Sequence, residues 1–166
     1  MVTRAVLCYI FNDNKVLLAR KNKGFGVGKI NAPGGKIEKD EDIFNAARRE
    51  LMEEAGITPL NLKYQGILLF FFGKDKLKPD WIVYVLTANK FVGSIKESDE
   101  IKPFWIDIDK IPYENMWEDD RYWLPWLLNN RLFKGVFVFD KTASKLLKAS
   151  VLEIDEKELL IYLDKR

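Results

Sequence analysis

The 166 residues predict an α+β fold, a mixed β-sheet flanked by two α-helices. Three observations carry that prediction. Short β-rich runs recur along most of the chain, residues 41–55 show a helical repeat of apolar positions, and residues 118–130 form a second helical stretch. The length suits one domain, 1–166, because domains typically run to about 100–200 residues.

Residues 2–11 (VTRAVLCYIF) and 16–19 (VLLA) are β-rich and are separated by Asn12-Asp13-Asn14-Lys15. Asx residues tolerate the positive φ of tight turns, so the pair reads as a hairpin with Cys8 in its core. Residues 21–35 follow, carrying Gly24, Gly26, Gly28, Gly34 and Gly35, half of the chain's ten glycines. This is either a flexible connector or backbone brought close to a ligand, where a Cβ would clash. The helix 41–55 is predicted to have Asp40 as its N-cap, acidic Glu41 and Asp42 at its positive end, and Gly56 as its stop. Ile43, Ala47 and Leu51 form its apolar stripe. Strands are expected at 60–72, 81–89 and 103–108, with a polar link at 93–102. In the helix 118–130, Pro125 imposes a kink or a shorter span. Strands at 133–139 and 145–153 complete the set, and 154–166 reads equally well as strand or helix.

Composition excludes several chemistries. There is no histidine, hence no Ser-His-Asp triad, Cys-His pair or HExxH zinc site. One cysteine can form neither an internal disulfide nor a thiolate cluster. Hydrolysis would have to run on carboxylates, Lys, Tyr, Ser or a hard oxygen-bound metal. A formal net charge of +2 gives no basis for non-specific nucleic-acid or membrane binding. With no apolar run near 18 residues and no basic-then-apolar leader pattern, a cytoplasmic location is expected.

Glu50, Glu53 and Glu54 are spaced i, i+3 and i+4. At about 100° per residue, Glu50 and Glu54 project within about 20° of Ile43, beside the apolar stripe, and Glu53 lies roughly 60° further round near Arg49. Like charges at this spacing repel, more so near a core. Magnesium would offset the repulsion, since it takes carboxylate and carbonyl oxygens and bridges to phosphates. A solvated acidic face balanced by Arg48 and Arg49 is the other reading of the helix alone.

From Gly35 to Ile57 the chain matches G-x5-E-x7-R-E-U-x-E-E-x-G-U, with U aliphatic, at every defined position. A chance match is roughly 10⁻⁹ per starting point at average residue frequencies. The segment resembles the signature of the Nudix hydrolases, enzymes that cleave a nucleoside diphosphate linked to another group. That resemblance implies a Nudix-type mixed-sheet sandwich and a Mg²⁺ site, with Mn²⁺ able to substitute. Glu50 and Glu54 would be metal ligands, Glu53 a ligand or the base for the attacking water, and the Gly34 or Gly35 carbonyl a neutral ligand. Arg49 and Glu41 would form the motif's internal ion pair.

The segments KGFGVGKIN (23–31), ESDEIKP (97–103) and IPYENMWEDDRYWLP (111–125) are similar to the MutT-homologue subfamily, which sanitises oxidised purine nucleoside triphosphates. The resemblance spans about residues 5–153. It implies a base pocket of Asn31, Trp117, Asp119 and Asp120, lined further by Lys21, Phe25 and Phe70, and a metal site completed by Glu100. Trp117 would stack a purine, and an aspartate pair sharing a proton would offer one donor and one acceptor to its edge. Asp119-Asp120 is also a plausible helix cap, and Tyr122, Trp123 and Trp126 read as core. Lys36 either touches phosphate or is solvated. Three positions depart from the subfamily: Ile30 replaces a tryptophan, Pro33 an aromatic, and Pro79 the methionine before Asp80.

The expected activity is hydrolysis of 8-oxo-dGTP or 2-hydroxy-dATP to monophosphate and pyrophosphate by a monomer. Its partner is a small nucleotide, with no stable nucleic-acid or membrane partner. The rivals are another Nudix substrate (a nucleotide sugar, dinucleotide polyphosphate or capped RNA) and a non-catalytic nucleotide-binding regulator.

Overall fold

The computed structural model describes residues 1–163. In chain order the elements are β1 (Thr3–Asn12), β2 (Lys15–Lys21), β3 (Ile30–Asn31), β4 (Gly34–Lys36), α1 (Ile43–Ala55), β5 (Ile57–Pro59), β6 (Lys63–Phe72), β7 (Trp81–Ala88), β8 (Phe91–Gly93), β9 (Ile101–Asp107), α2 (Asp120–Leu128), β10 (Phe133–Phe139), β11 (Leu146–Glu153) and α3 (Glu156–Ile161). One 3-10 turn, Tyr113–Asn115, precedes α2.

The chain divides into two units. The first holds Val6–Tyr64 and Leu86–Trp117. There β1 and β2 form the expected hairpin, with Phe11 opposite Val16 and Asp13 at φ 53° in the turn. β3 and β9 pair antiparallel with β2, Ala19 facing Asn31 and Val16 facing Ile106, while β4 pairs with β1. β5 and β8 form a separate small ribbon with Thr58 opposite Val92. The core contains Tyr9, Ile10, Leu17, Leu18, Leu51 and Ile57, all fully buried. Each such aliphatic side chain contributes about 1.5–3 kcal/mol relative to exposure.

The second unit holds Met1–Ala5, Gln65–Val85 and the chain from Glu118. β10 runs parallel to β6, with Phe133 opposite Gly66, and antiparallel to β11, with Val136 opposite Ser150. Alternate residues of β10 are buried: Phe133, Gly135, Phe137 and Phe139. Trp123 of α2 is fully buried and stacks on Phe133 at 5.5 Å between ring centroids.

Several expectations need correcting. α1 begins at Ile43, and its N-cap is Asp42, whose Oδ1 accepts from the Asn45 N–H at 2.7 Å. Asp40 instead sits in a turn at φ 63°, and the Glu41 carboxylate is taken up by Arg49. Gly56 does end the helix, at φ 74°. The 60–72 strand starts only at Lys63. β5 and β8 escaped notice because three residues are too few to show a period. α2 is shorter than 118–130 at both ends; Pro125 lies inside it, and without an N–H it leaves the Arg121 carbonyl no i+4 partner. The undecided tail contains a helix, α3, capped by Asp155 accepting from Glu158 N–H at 2.9 Å; residues 164–166 lie outside the described residues. Tyr122 is 48% exposed and is not core. Among the described residues no helix is long and apolar enough to cross a membrane.

Candidate active site

α1 turns Ile43, Ala46, Ala47, Leu51 and Ala55 into the core, and this fixes the rotation of the acidic residues. The Glu50 side chain is 13% exposed and that of Glu53 59% exposed, the split that the helical angles predict. The glycine pair of β4 packs against the two inner carboxylates. Gly34 donates its N–H to Glu54 Oε1 at 2.9 Å. A Cβ built on Gly35 would lie 2.4 Å from Glu50 Oε1, so the close approach requires glycine.

Arg49 organises the outer side. It donates to both Glu41 oxygens at 2.8 and 2.9 Å, to the Lys36 carbonyl at 2.9 Å and to Glu50 Oε1 at 2.8 Å, with Glu53 Oε2 at 3.4 Å. This guanidinium holds Glu41 below the usual carboxylate range. Glu50 is pushed up, chiefly by burial, although Arg49 pulls the other way. Glu54 is pushed up to about 7. Burial is the largest cause, the Gly34 N–H opposes it, and repulsion from Glu50 and Glu100 adds to it; Lys21 pulls slightly down.

Glu54 therefore feels the charge of both Glu50 and Glu100. Their oxygens do not form a ready ligand shell: among the described residues no three His, Cys, Asp or Glu side chains converge in ligating positions. Glu50 is turned onto Arg49, Glu54 onto Gly34 and Glu100 onto Lys23 at 3.4 Å. The donor set still fits a hard divalent cation: carboxylates and backbone carbonyls, oxygen only, with the inner two carboxylates disfavoured as bare anions.

The loop between β2 and β3 closes on itself, Lys21 N–H to the Lys29 carbonyl at 3.0 Å and Gly28 N–H to the Lys21 carbonyl at 2.8 Å. Its Phe25 lies 5.1 Å from the Trp117 ring, and Lys29 Nζ sits 5.0 Å from the same ring's centroid. Gly26 passes so near that a Cβ there would be 3.0 Å from the indole. Asn31 Oδ1 accepts from the Ala32 N–H at 2.9 Å.

In the second unit Asp119 and Asp120 are both buried. The Asp119 side chain makes no cap hydrogen bond to α2; its Oδ2 accepts from Trp123 Nε1–H at 2.9 Å. Burial pushes Asp119 up to about 6 against the Trp123 hydrogen bond. Phe70 stacks on Phe137 at 5.7 Å.

A model of the NUDIX domain matches residues 1–127. The chain belongs to the Nudix family. It is 43% identical over 134 residues to the oxidized purine nucleoside triphosphate hydrolase of Danio rerio, covering 80% of this chain and 84% of that protein. The enzyme of the same name from Mus musculus is 37% identical over 150 residues, covering 90% and 94%. Among solved structures, the MutT protein of Bacillus halodurans superposes with a TM-score of 0.79 at 29% identity, covering 90% of this chain and 97% of that one.

The Nudix helix is thus α1 with its β4 glycine pair. Sequence reading missed residues around it. It gave no role to Lys23 or Lys29, of which one pairs with Glu100 and the other lies over the Trp117 ring. Trp123 was read as core, which it is, but it is also the donor to Asp119. Trp126 is half-buried, with the Arg131 guanidinium 4.1 Å from its ring centroid. Of the subfamily departures, Ile30 and Pro33 are buried and Pro79 is half-buried.

Proposed function

We propose that this Nudix protein, acting as one domain in the cytoplasm, hydrolyses oxidised purine (deoxy)nucleoside triphosphates such as 8-oxo-dGTP or 2-hydroxy-dATP. The products are the monophosphate and pyrophosphate. The observation that carries the reading is Glu54, half-buried against the Gly34 N–H and pushed up by burial and by Glu50 and Glu100, which gives the cluster a use for a divalent cation. The printed activities of the Danio rerio and Mus musculus relatives support the substrate class.

Mg²⁺, when bound, would neutralise phosphate charge and acidify water. Glu50, Glu54 and Glu100, with a carbonyl of Gly34 or Gly35, would hold it. Glu53, the exposed member, takes the proton of the attacking water at a carboxylate oxygen. The water oxygen bonds to the β-phosphorus, the bond from that phosphorus to the α–β bridging oxygen breaks, and the monophosphate leaves with that oxygen. Arg49 touches no reacting atom; it keeps Glu50 and Glu53 apart and oriented. In the first unit Trp117 would stack the purine, with Asn31, Lys21 and Phe25 as its further substrate contacts. In the second unit Asp119, Asp120 and Phe70 are the proposed substrate-binding residues, Asp119 raised to about 6 by burial.

The test is pyrophosphate release with Mg²⁺ from 8-oxo-dGTP, 2-hydroxy-dATP, dGTP and dATP, with Glu53→Gln in parallel. Preference for an oxidised base, lost in the variant, is expected. Turnover without preference would turn attention to Ile30, Pro33 and Pro79 and to another Nudix substrate. Binding without turnover would mean a regulator.

A further inference from the structure

Asn22 ties the loop after β2 to the loop before β9. Its backbone N–H donates to the Glu100 carbonyl at 2.9 Å, and its Nδ2 donates to the Ser98 carbonyl at 3.1 Å. The Ser98 hydroxyl accepts from the N–H groups of Glu100 and Ile101 at 3.3 Å each. The backbone that carries Glu100 is therefore held from two sides, whereas its side chain is half exposed and free to change rotamer. That carboxylate has neighbours of opposite sign. Lys23 Nζ lies 3.4 Å away, and the half-buried Glu54 carboxyl feels the Glu100 charge.

We infer that Lys23 is a displaceable counter-ion for Glu100, holding its carboxylate in the metal-free protein and releasing it to a divalent cation seated at Glu50 and Glu54. This rests on the reading of Glu100 as a metal ligand. The order of strengths favours the exchange. An exposed lysine–carboxylate pair is weak and screened by salt, while a dication shared by several carboxylates is held far more firmly. The Asn22 and Ser98 bonds leave the backbone in place, so only side-chain torsions need to change. Lys23 is a positioning residue in this scheme: it acts through Glu100, and it competes with the metal.

The experiment is Mn²⁺ binding to the full-length chain without nucleotide, read from the electron paramagnetic resonance signal of free Mn²⁺ at low salt. Lys23→Gln is expected to tighten binding about two- to fivefold, with the gain shrinking in 1 M salt. Lys23→Arg, which keeps the pair, is expected to bind like the wild type. Glu100→Gln is expected to weaken binding, and in that background Lys23→Gln should change nothing further. Unchanged or weaker binding in Lys23→Gln overturns the proposal. So does tightening that survives in the Glu100→Gln background, because that is a field effect not routed through Glu100. If Glu100→Gln alone leaves Mn²⁺ affinity untouched, Glu100 is not a ligand and both readings fall. Circular dichroism of each variant separates these outcomes from misfolding.

Discussion

Trp123 Nε1–H donates to the Asp119 carboxylate at 2.9 Å, and both side chains are buried. The indole proton and a backbone hydrogen bond at Asp119 itself only partly compensate a carboxylate withdrawn from water, so burial prevails and the acid rises to about 6. A raised acid binds more protons folded than unfolded between its two pKa values. Its contribution to stability is therefore present at low pH and is lost as pH rises from about 4 to about 6. Asp119→Asn is expected to remove that part of the decline, about 3 kcal/mol by the size of the shift. Urea unfolding at pH 4.5, 6 and 7.5 measures it, and an undiminished decline in the variant would show that Asp119 ionises freely.

Glu54 makes the same argument in a different pH window. Its carboxyl rises from 4.5 to about 7 in the folded protein, so apo stability should fall as pH climbs through that interval. Glu54→Gln should flatten the fall and make the apo protein more stable at pH 8 than the wild type. The same variant should lose the upward shift in melting temperature that Mg²⁺ gives the wild type. Thermal unfolding in EDTA and in Mg²⁺ checks both halves. A variant that keeps the Mg²⁺ shift would remove Glu54 from the metal site.

Part of this arrangement could be read from sequence. The burial of Glu50 and the exposure of Glu53 followed from helical angles, because one helix with one apolar stripe leaves its rotation no freedom. The pairing of Gly34 with Glu54, the approach of Gly35 to Glu50 and the pairing of Lys23 with Glu100 did not follow. These contacts come from β4 and from a loop distant in sequence, and nothing local encodes them. The N-cap was missed by two residues for a related reason. Asp40 and Asp42 are equally good caps alone, and it is the Glu41–Arg49 ion pair, across eight positions, that favours Asp42. Asp119 presented the reverse problem: its place before a helix suggested a cap, while its partner was the indole four residues on.

Gly35→Ala tests the cradle around Glu50. The new methyl would sit where Glu50 Oε1 now lies, 2.4 Å away, so the carboxylate must swing out. Ala is otherwise compatible with a strand position, so the fold should survive with a small loss of melting temperature. Hydrolysis and Mn²⁺ affinity should both fall at least about tenfold, about 1.4 kcal/mol. Isothermal titration with Mn²⁺ beside a melting curve distinguishes a displaced ligand from a damaged core, and unchanged affinity would place Glu50 outside the ligand set.

Arg49→Lys asks whether a charge suffices or the guanidinium shape is needed. Arg49 serves Glu41 through two nitrogens, the Lys36 carbonyl and Glu50 at once, in a site where its side chain is 22% exposed. A lysine ammonium keeps the charge but cannot span a bidentate carboxylate and two further acceptors. The loss of Glu41 should free residues 36–42, and the loss of the Glu50 contact should leave that buried carboxylate still more strained as an anion. The expected cost is about 1–3 kcal/mol of stability, with turnover reduced far more than substrate KM, because the residue orients Glu50 and Glu53 without touching the nucleotide. If Arg49→Lys raises KM and leaves kcat alone, Arg49 contacts substrate and its role as an organiser of the glutamates is wrong.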